Sequence, residues 1–210
     1  MKNWLIIFVA ICAISCQNPI AQDKKFIYYL HGRIIEIQGK DAVSEIYGKY
    51  ELDSITKALL LPQSEVKSEI RSTNVDPLAY AQEVSAEIDS LLKSGIKPVN
   101  ITVIGASKGA IIASHISSIN KNPINYVLLA GNNDYQEQHN DWQFNGNVLC
   151  FYDDSDTIAG KNYDYWKNKS KDALTFEQIK IEKSLGHGFL YQPYPEWIVP
   201  TKKWIAYQKL

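Results

Sequence analysis

Along this chain the apolar residues come in two arrangements that alternate with each other. Short, nearly unbroken runs occur at residues 26–30 (Phe-Ile-Tyr-Tyr-Leu), 101–104, 126–130 and 148–152. Between them, apolar positions recur every three to four residues. Continuous runs suit strands covered on both faces, and the intervening period suits helices, so the pattern predicts a mostly parallel sheet with helices on both faces, an α/β architecture. Residues 66–70 form a weaker candidate strand. Residues 178–183, with Ile179 and Ile181 set against Lys180 and Glu182, alternate as a strand near a sheet edge does.

The helix signals are sharpest after Val75. Asp76 is placed to cap a helix, Pro77 suits its first turn and Gly95 suits its stop, with Ala81, Val84, Ile88 and Leu91 spaced along one face. Leu52, Ile55 and Leu59 predict an earlier helix, residues 110–119 another, and residues 195–210, carrying Trp197 and Trp204, a last one. No internal repeat or low-complexity stretch appears.

The first residues follow a different rule. Lys2 precedes a short apolar run from Trp4 to Ala13, followed by Ala13-Ile14-Ser15-Cys16. The run is too short to span a bilayer and has the layout of a secretory signal peptide. Cys16 after small residues resembles the lipobox of bacterial lipoproteins, with Ala13 where that motif carries Leu. Residues 1–15 are expected to be a signal peptide, Cys16 a lipidation site, residues 16–25 a tether and residues 26–210 a single folded domain. The expected location is therefore outside the cytoplasm: periplasmic, anchored to the outer membrane, or secreted. Membrane contact is expected only through the lipid.

Composition narrows the chemistry further. The 210 residues are 45% apolar and 21% charged, with a net charge of −1 and basic residues scattered throughout, which argues against a nucleic-acid partner. With Cys12 lying in the signal segment and Cys16 beside it, Cys150 is the only thiol in the body, so an internal disulfide is excluded there. No Cys/His spacing suggests a metal site.

One pattern carries catalytic chemistry. Gly105-Ala106-Ser107-Lys108-Gly109 follows directly on the run 101–104 and opens a helical segment. A serine on a tight strand-to-helix turn projects its hydroxyl above the sheet, and small residues two positions away on each side let strand and helix approach closely. The helix N-terminus places the Lys108 amide where an oxyanion would form. The plainer reading is a glycine-rich turn with a capping serine.

These residues and three further segments resemble the α/β-hydrolase family, from Phe26 to the C-terminus. Leu30-His31-Gly32-Arg33 resembles the family's HG oxyanion loop, which would make the Arg33 amide the second oxyanion donor and His31 a structural residue. The segment from Tyr152 to Ile158 resembles the acid-bearing turn, aligning Asp156 with the acid and placing Asp153 where the family has glycine. Asp153, Asp154 and Asp134 are its rivals. Gly186-His187-Gly188 matches the segment bearing the base, in the family order of serine, acid, histidine.

The resemblance implies a serine hydrolase: Ser107 the nucleophile, His187 its base, Asp156 the orienting acid, no cofactor, and a small carboxylic ester as substrate, with thioesters, amides and peptides not separated. Only about sixteen residues lie between the runs ending at Gly131 and starting at Val148, so no sizeable cap is expected, with Tyr135 and Trp142 as candidate wall residues. Lys108 in the first turn of a helix opposes the helix dipole. With Arg33, and Arg71 in reach, it raises the expectation of an anionic substrate. The competing expectation from another class is a non-catalytic, lipid-anchored envelope binding protein on the same scaffold.

Overall fold

The computed structural model describes residues 23–210. The expected signal segment, Cys16 and most of the tether lie outside the described residues.

The four strong apolar runs are strands: β1 (Lys25–Leu30), β5 (Ile101–Ala106), β6 (Asn125–Leu129) and β7 (Gly146–Tyr152). They form the centre of a six-stranded sheet that adds β4 (Ser64–Lys67) at one edge and β8 (Ala173–Lys180) at the other. The order is β4-β1-β5-β6-β7-β8, and every pairing is parallel. A separate two-stranded hairpin, β2 (Val43–Ser44) with β3 (Gly48–Lys49), had no signal in the apolar pattern. The predicted edge strand starts five residues earlier and stops at Lys180. Ile181 is still buried, and its amide bonds the Tyr152 carbonyl at 2.8 Å.

Helices α1 (Arg33–Gln38), α2 (Leu52–Leu59), α3 (Pro77–Lys93), α4 (Lys108–Ile119), α5 (Asp134–His139), α6 (Asp164–Lys169) and α7 (Pro195–Tyr207) fill the connections. The predicted punctuation of α3 is realised: Asp76 accepts from the Ala79 amide at 2.8 Å, Pro77 opens the helix, and Gly95 follows its end at φ +96°.

Strand side chains divide between two cores. Ile27, Tyr29, Val127, Leu129, Leu149 and Phe151 face a layer containing Leu52 and Ile55 of α2 with Trp197 and Trp204 of α7. Tyr28, Leu30, Tyr126, Leu128, Val148 and Cys150 face the other, with Val84 and Ile88 of α3, Ile112 and Ile116 of α4, and Trp166 of α6. This two-sided burial is why the runs lack polar alternation. Each large apolar side chain so buried stabilises the fold by about 1.5–3 kcal/mol. Cys150 is one of these residues, and burial pushes its thiol well above the usual range.

Candidate active site

The loops that leave the carboxyl ends of β1, β5, β7 and β8 carry the four predicted segments, the location where open parallel sheets place their ligands. Ser107 stands between the last residue of β5 and the first of α4 with φ +54° and ψ −116°. Such a conformation costs a non-glycine residue on the order of 1–3 kcal/mol and is held only where the surroundings over-determine it. Here its amide donates to Leu129 O at 2.9 Å, and its carbonyl accepts from the amides of Ala110 at 2.8 Å and Ile111 at 3.1 Å. The hydroxyl caps nothing on α4. It lies 2.9 Å from His187 Nε2, an arrangement a mere capping serine would not show.

His187 belongs to a 3₁₀ turn, Gly186–Leu190, and is buried. Its Nδ1 is 2.6 Å from Asp156 Oδ2. A carboxylate takes only donated hydrogens, so Nδ1 carries the proton and Nε2 is left to accept from Ser107. The other oxygen of Asp156 accepts from the amides of Ile158 at 2.8 Å and Ala159 at 3.1 Å. Burial works to raise this carboxyl, but the His187 bond and charge and the two amides outweigh it and hold its pKa below the ordinary value.

The rival acids have other partners. Asp153, at the position where the resembled pattern has glycine, holds the acid turn against the histidine loop: Oδ1 accepts from Ser155 N at 2.9 Å and Ser155 Oγ at 2.6 Å, and Oδ2 accepts from Leu185 N at 2.9 Å. Ser155 Oγ in turn accepts from Gly186 N at 3.0 Å. Asp154 pairs with Lys180, and Asp134 with Lys161 at 2.7 Å, both with largely exposed carboxylates. The carboxylate paired with His187 is that of Asp156.

Arg33 and Lys108 are the first residues of α1 and α4, so their amides have no acceptor within their own helices, and none takes them elsewhere among the described residues. The HG loop lies against Ser107: a Cβ on Gly32 would lie 3.6 Å from Ser107 Cβ. His31, expected to be structural, is tied to its own loop and to Arg71. Its Nδ1 donates to Gly32 O at 2.9 Å and its Nε2 accepts from Arg71 N at 3.2 Å. Burial and the Arg71 charge push its pKa down to about 4, so the ring is neutral near pH 7.

Two clefts meet at Ser107. One of about 250 Å³ is lined by Gly32, Arg33, Ile34, Tyr50, Ser107, Ile158, His187, Leu190 and Tyr191. The other, about 430 Å³ and more open, is lined by Arg33, Asn74, Pro77, Ser107, Lys108 and Ile111. Tyr135 and Trp142 line neither. Tyr135 is exposed on α5 and stacks on His139 at 4.1 Å. Trp142 is buried in the opposite core between Phe144 and Trp166, its indole donating to His115 Nδ1 at 3.1 Å. Both expectations as wall residues are therefore corrected: Trp142 fills a core and Tyr135 is exposed on α5, outside both clefts.

Lys108 is also placed differently from the expectation. Its ammonium donates to Glu36 Oε2 at 2.7 Å and Val75 O at 2.9 Å, and Arg71 Nε donates to Glu36 Oε1 at 2.8 Å. The buried carboxylate of Glu36 explains a cation in the first turn of α4. Neither Glu36 nor its link to Arg71 was found from the sequence. Helix α1 is too short to show a period, and its partner lies 35 residues away.

No protein-family model matches the chain, and no curated protein sequence does. Solved structures do. Arabidopsis thaliana SOBER1 superposes with a TM-score of 0.57 at 14% identity, covering 88% of this chain and 99% of its own. A YdeN-like hydrolase from Pectobacterium atrosepticum gives 0.57 at 11% identity, covering 90% and 95%. The Pyrococcus furiosus esterase Pf2001 gives 0.57 at 13% identity, covering 89% and 84%. At such identities the likeness is one of fold: this chain has the single-domain α/β-hydrolase fold.

Proposed function

We propose that this protein is a serine hydrolase that cleaves a small carboxylic ester through an acyl-enzyme on Ser107. The observation that carries the proposal is the continuous chain Ser107 Oγ–His187–Asp156, built on a strained residue whose hydroxyl has no structural use. A serine hydroxyl is a weak nucleophile until a neighbouring base takes its proton.

In the first half-reaction Ser107 Oγ attacks the ester carbonyl carbon while His187 Nε2 takes the hydroxyl proton. The Arg33 and Lys108 amides face the resulting oxyanion, a type of donor typically worth roughly 2.7–4 kcal/mol of barrier. The carbon–oxygen bond to the alcohol then breaks, and the alcohol leaves with the proton from His187. In the second half-reaction water attacks the acyl carbon, His187 takes the water's proton, and it returns a proton to Ser107 as the acid departs. Asp156 keeps the imidazole in the required tautomer and stabilises its cationic form.

Substrate size follows from the clefts. The smaller, walled by Ile34, Tyr50, Ile158, Leu190 and Tyr191, lies just below the usual range of ligand pockets, roughly 300–1,000 Å³, and suits a short apolar acyl or alkoxy group. The test of the function is labelling by a serine-reactive phosphonate. The wild-type protein should label at one site and Ser107→Ala should not label at all; labelling that survives the substitution, or never occurs, sinks the proposal.

Any preference for anionic esters rests on Arg33. The Lys108 and Arg71 cations are bound to Glu36, whereas the Arg33 side chain is exposed, lines both clefts and has no partner among the described residues. Arg33→Gln should lower kcat/KM by roughly fivefold on an ester carrying a carboxylate, the scale of one exposed ion pair, and leave a neutral isostere unchanged. Equal losses on both esters would remove this preference.

A further inference from the structure

A closed set of charges lies behind the two helix N-termini that carry the oxyanion amides, and the triad makes no use of it. Glu36 stands one turn along α1 from Arg33, with its carboxylate fully buried. Arg71 Nε donates to one oxygen at 2.8 Å and Lys108 Nζ to the other at 2.7 Å. Arg71 Nη2 also donates to His31 O, immediately before the oxyanion loop turns into α1. Thr73 Oγ1 donates to Glu36 O at 2.9 Å, adding a second tie between α1 and the 71–75 segment. With His31 neutral, two cations and one carboxylate leave one positive charge in this cluster.

From this geometry we infer that Glu36 is a positioning residue of the oxyanion hole, setting the separation of the Arg33 and Lys108 amides. The inference rests on the serine-hydrolase reading. The two amides belong to helices that follow different strands, and no covalent bond fixes the distance between them. The Glu36–Lys108 ion pair spans that gap. One end is three residues beyond Arg33 on α1, and the other is the side chain of the very residue whose amide is the second donor. Arg71 occupies the remaining oxygen, so the carboxylate cannot turn away. Because the oxyanion exists only along the reaction path, displacing a donor acts on kcat more than on KM.

The experiment uses Glu36→Gln, Lys108→Met and the double variant, each titrated with the phosphonate so that rates refer to competent sites. Lys108→Met keeps most of the unbranched side chain, removes the ammonium and leaves the backbone amide in place. On a neutral ester, each single variant should lose about 10–100-fold in kcat and in phosphonate labelling rate, the scale of a misplacement near 1 Å, with KM nearly unchanged. The double variant should be no worse than the more damaging single one, since both cut the same tie.

Unchanged kcat per titrated site in the single variants, or losses that multiply in the double, would overturn the inference. Should Glu36→Gln not fold, Lys108→Met decides the matter by the same readings, because its side chain is partly exposed. A wild-type protein that fails to label defeats the hydrolase reading first. Normal labelling with unaffected variants defeats only the role given to Glu36.

Discussion

Asp156→Asn is expected to lower kcat on a neutral ester by about 10⁴-fold while leaving KM within a small factor. The expected size comes from the tautomer. Asp156 Oδ2 receives the Nδ1 proton of His187, and Oδ1 is held by the Ile158 and Ala159 amides, so the side chain cannot swing aside. An asparagine anchored the same way through its oxygen presents its NH₂ group to Nδ1. The ring then carries its proton on Nε2 and cannot accept one from Ser107. KM is spared because Asp156 lines neither cleft.

The same substitution has a pH signature in stability. Asp156 has a lowered pKa in the fold, so its ionised form contributes stability that is fully present above the ordinary value of 3.8 and is lost as pH falls through the lowered folded value. The asparagine variant lacks that contribution, and its stability deficit relative to the wild type should narrow in acid. Asp154→Asn and Asp134→Asn, which break exposed ion pairs, should each cost at most about 1 kcal/mol and leave kcat unchanged. A kcat for Asp156→Asn within tenfold of wild type would remove Asp156 as the acid.

What the sequence made legible here was local. The strand-to-helix turn at Ser107 announces itself through Gly105 and Gly109, and the four central strands through runs whose length and lack of alternation reflect burial on both faces. Chain order then separated His187 from the other three histidines, and the resemblance of residues 152–158 to the family's acid-bearing segment put Asp156 first among the acids. Only distances distinguish the two carboxylates: Asp156 Oδ2 meets the His187 ring, whereas the Asp153 oxygens meet Ser155 and the Leu185 amide.

The misplaced and missed residues share one cause. Trp142 and Tyr135 stand in the right connection, but whether an aromatic lines a cleft or fills a core depends on what folds beneath it. For Trp142 that is Phe144 and Trp166. Glu36 sits in an unpatterned six-residue helix, and its importance depends on cations 35 and 72 residues away. The oddity of Lys108 at a helix start was the visible edge of that cluster: a buried carboxylate meets the cation there.

The second large effect is on folding. Gly109→Ala is expected to destabilise the protein by about 4 kcal/mol or more, enough to lower Tm by roughly 8–16 °C or to leave the chain insoluble. A Cβ on Gly109 would lie 1.8 Å from Leu30 O, 2.5 Å from Leu30 C and 2.9 Å from His31 O. All three are backbone atoms, so no side chain can move to relieve the clash, and either β1 or α4 must shift.

Gly32→Ala is the control, since its Cβ would meet its neighbours at 3.6–3.9 Å, ordinary contact distances, at a φ of −70° that any residue adopts. Its stability cost should stay near 1 kcal/mol. Equal melting temperatures for the two variants would show that α4 and the end of β1 are not in backbone contact. The contrast bears on catalysis as well as folding. Leu30 is the last residue of β1 and His31 begins the following loop, so the missing side chain at Gly109 is what lets the helix behind Ser107 come close to the loop that carries the proposed oxyanion amide of Arg33.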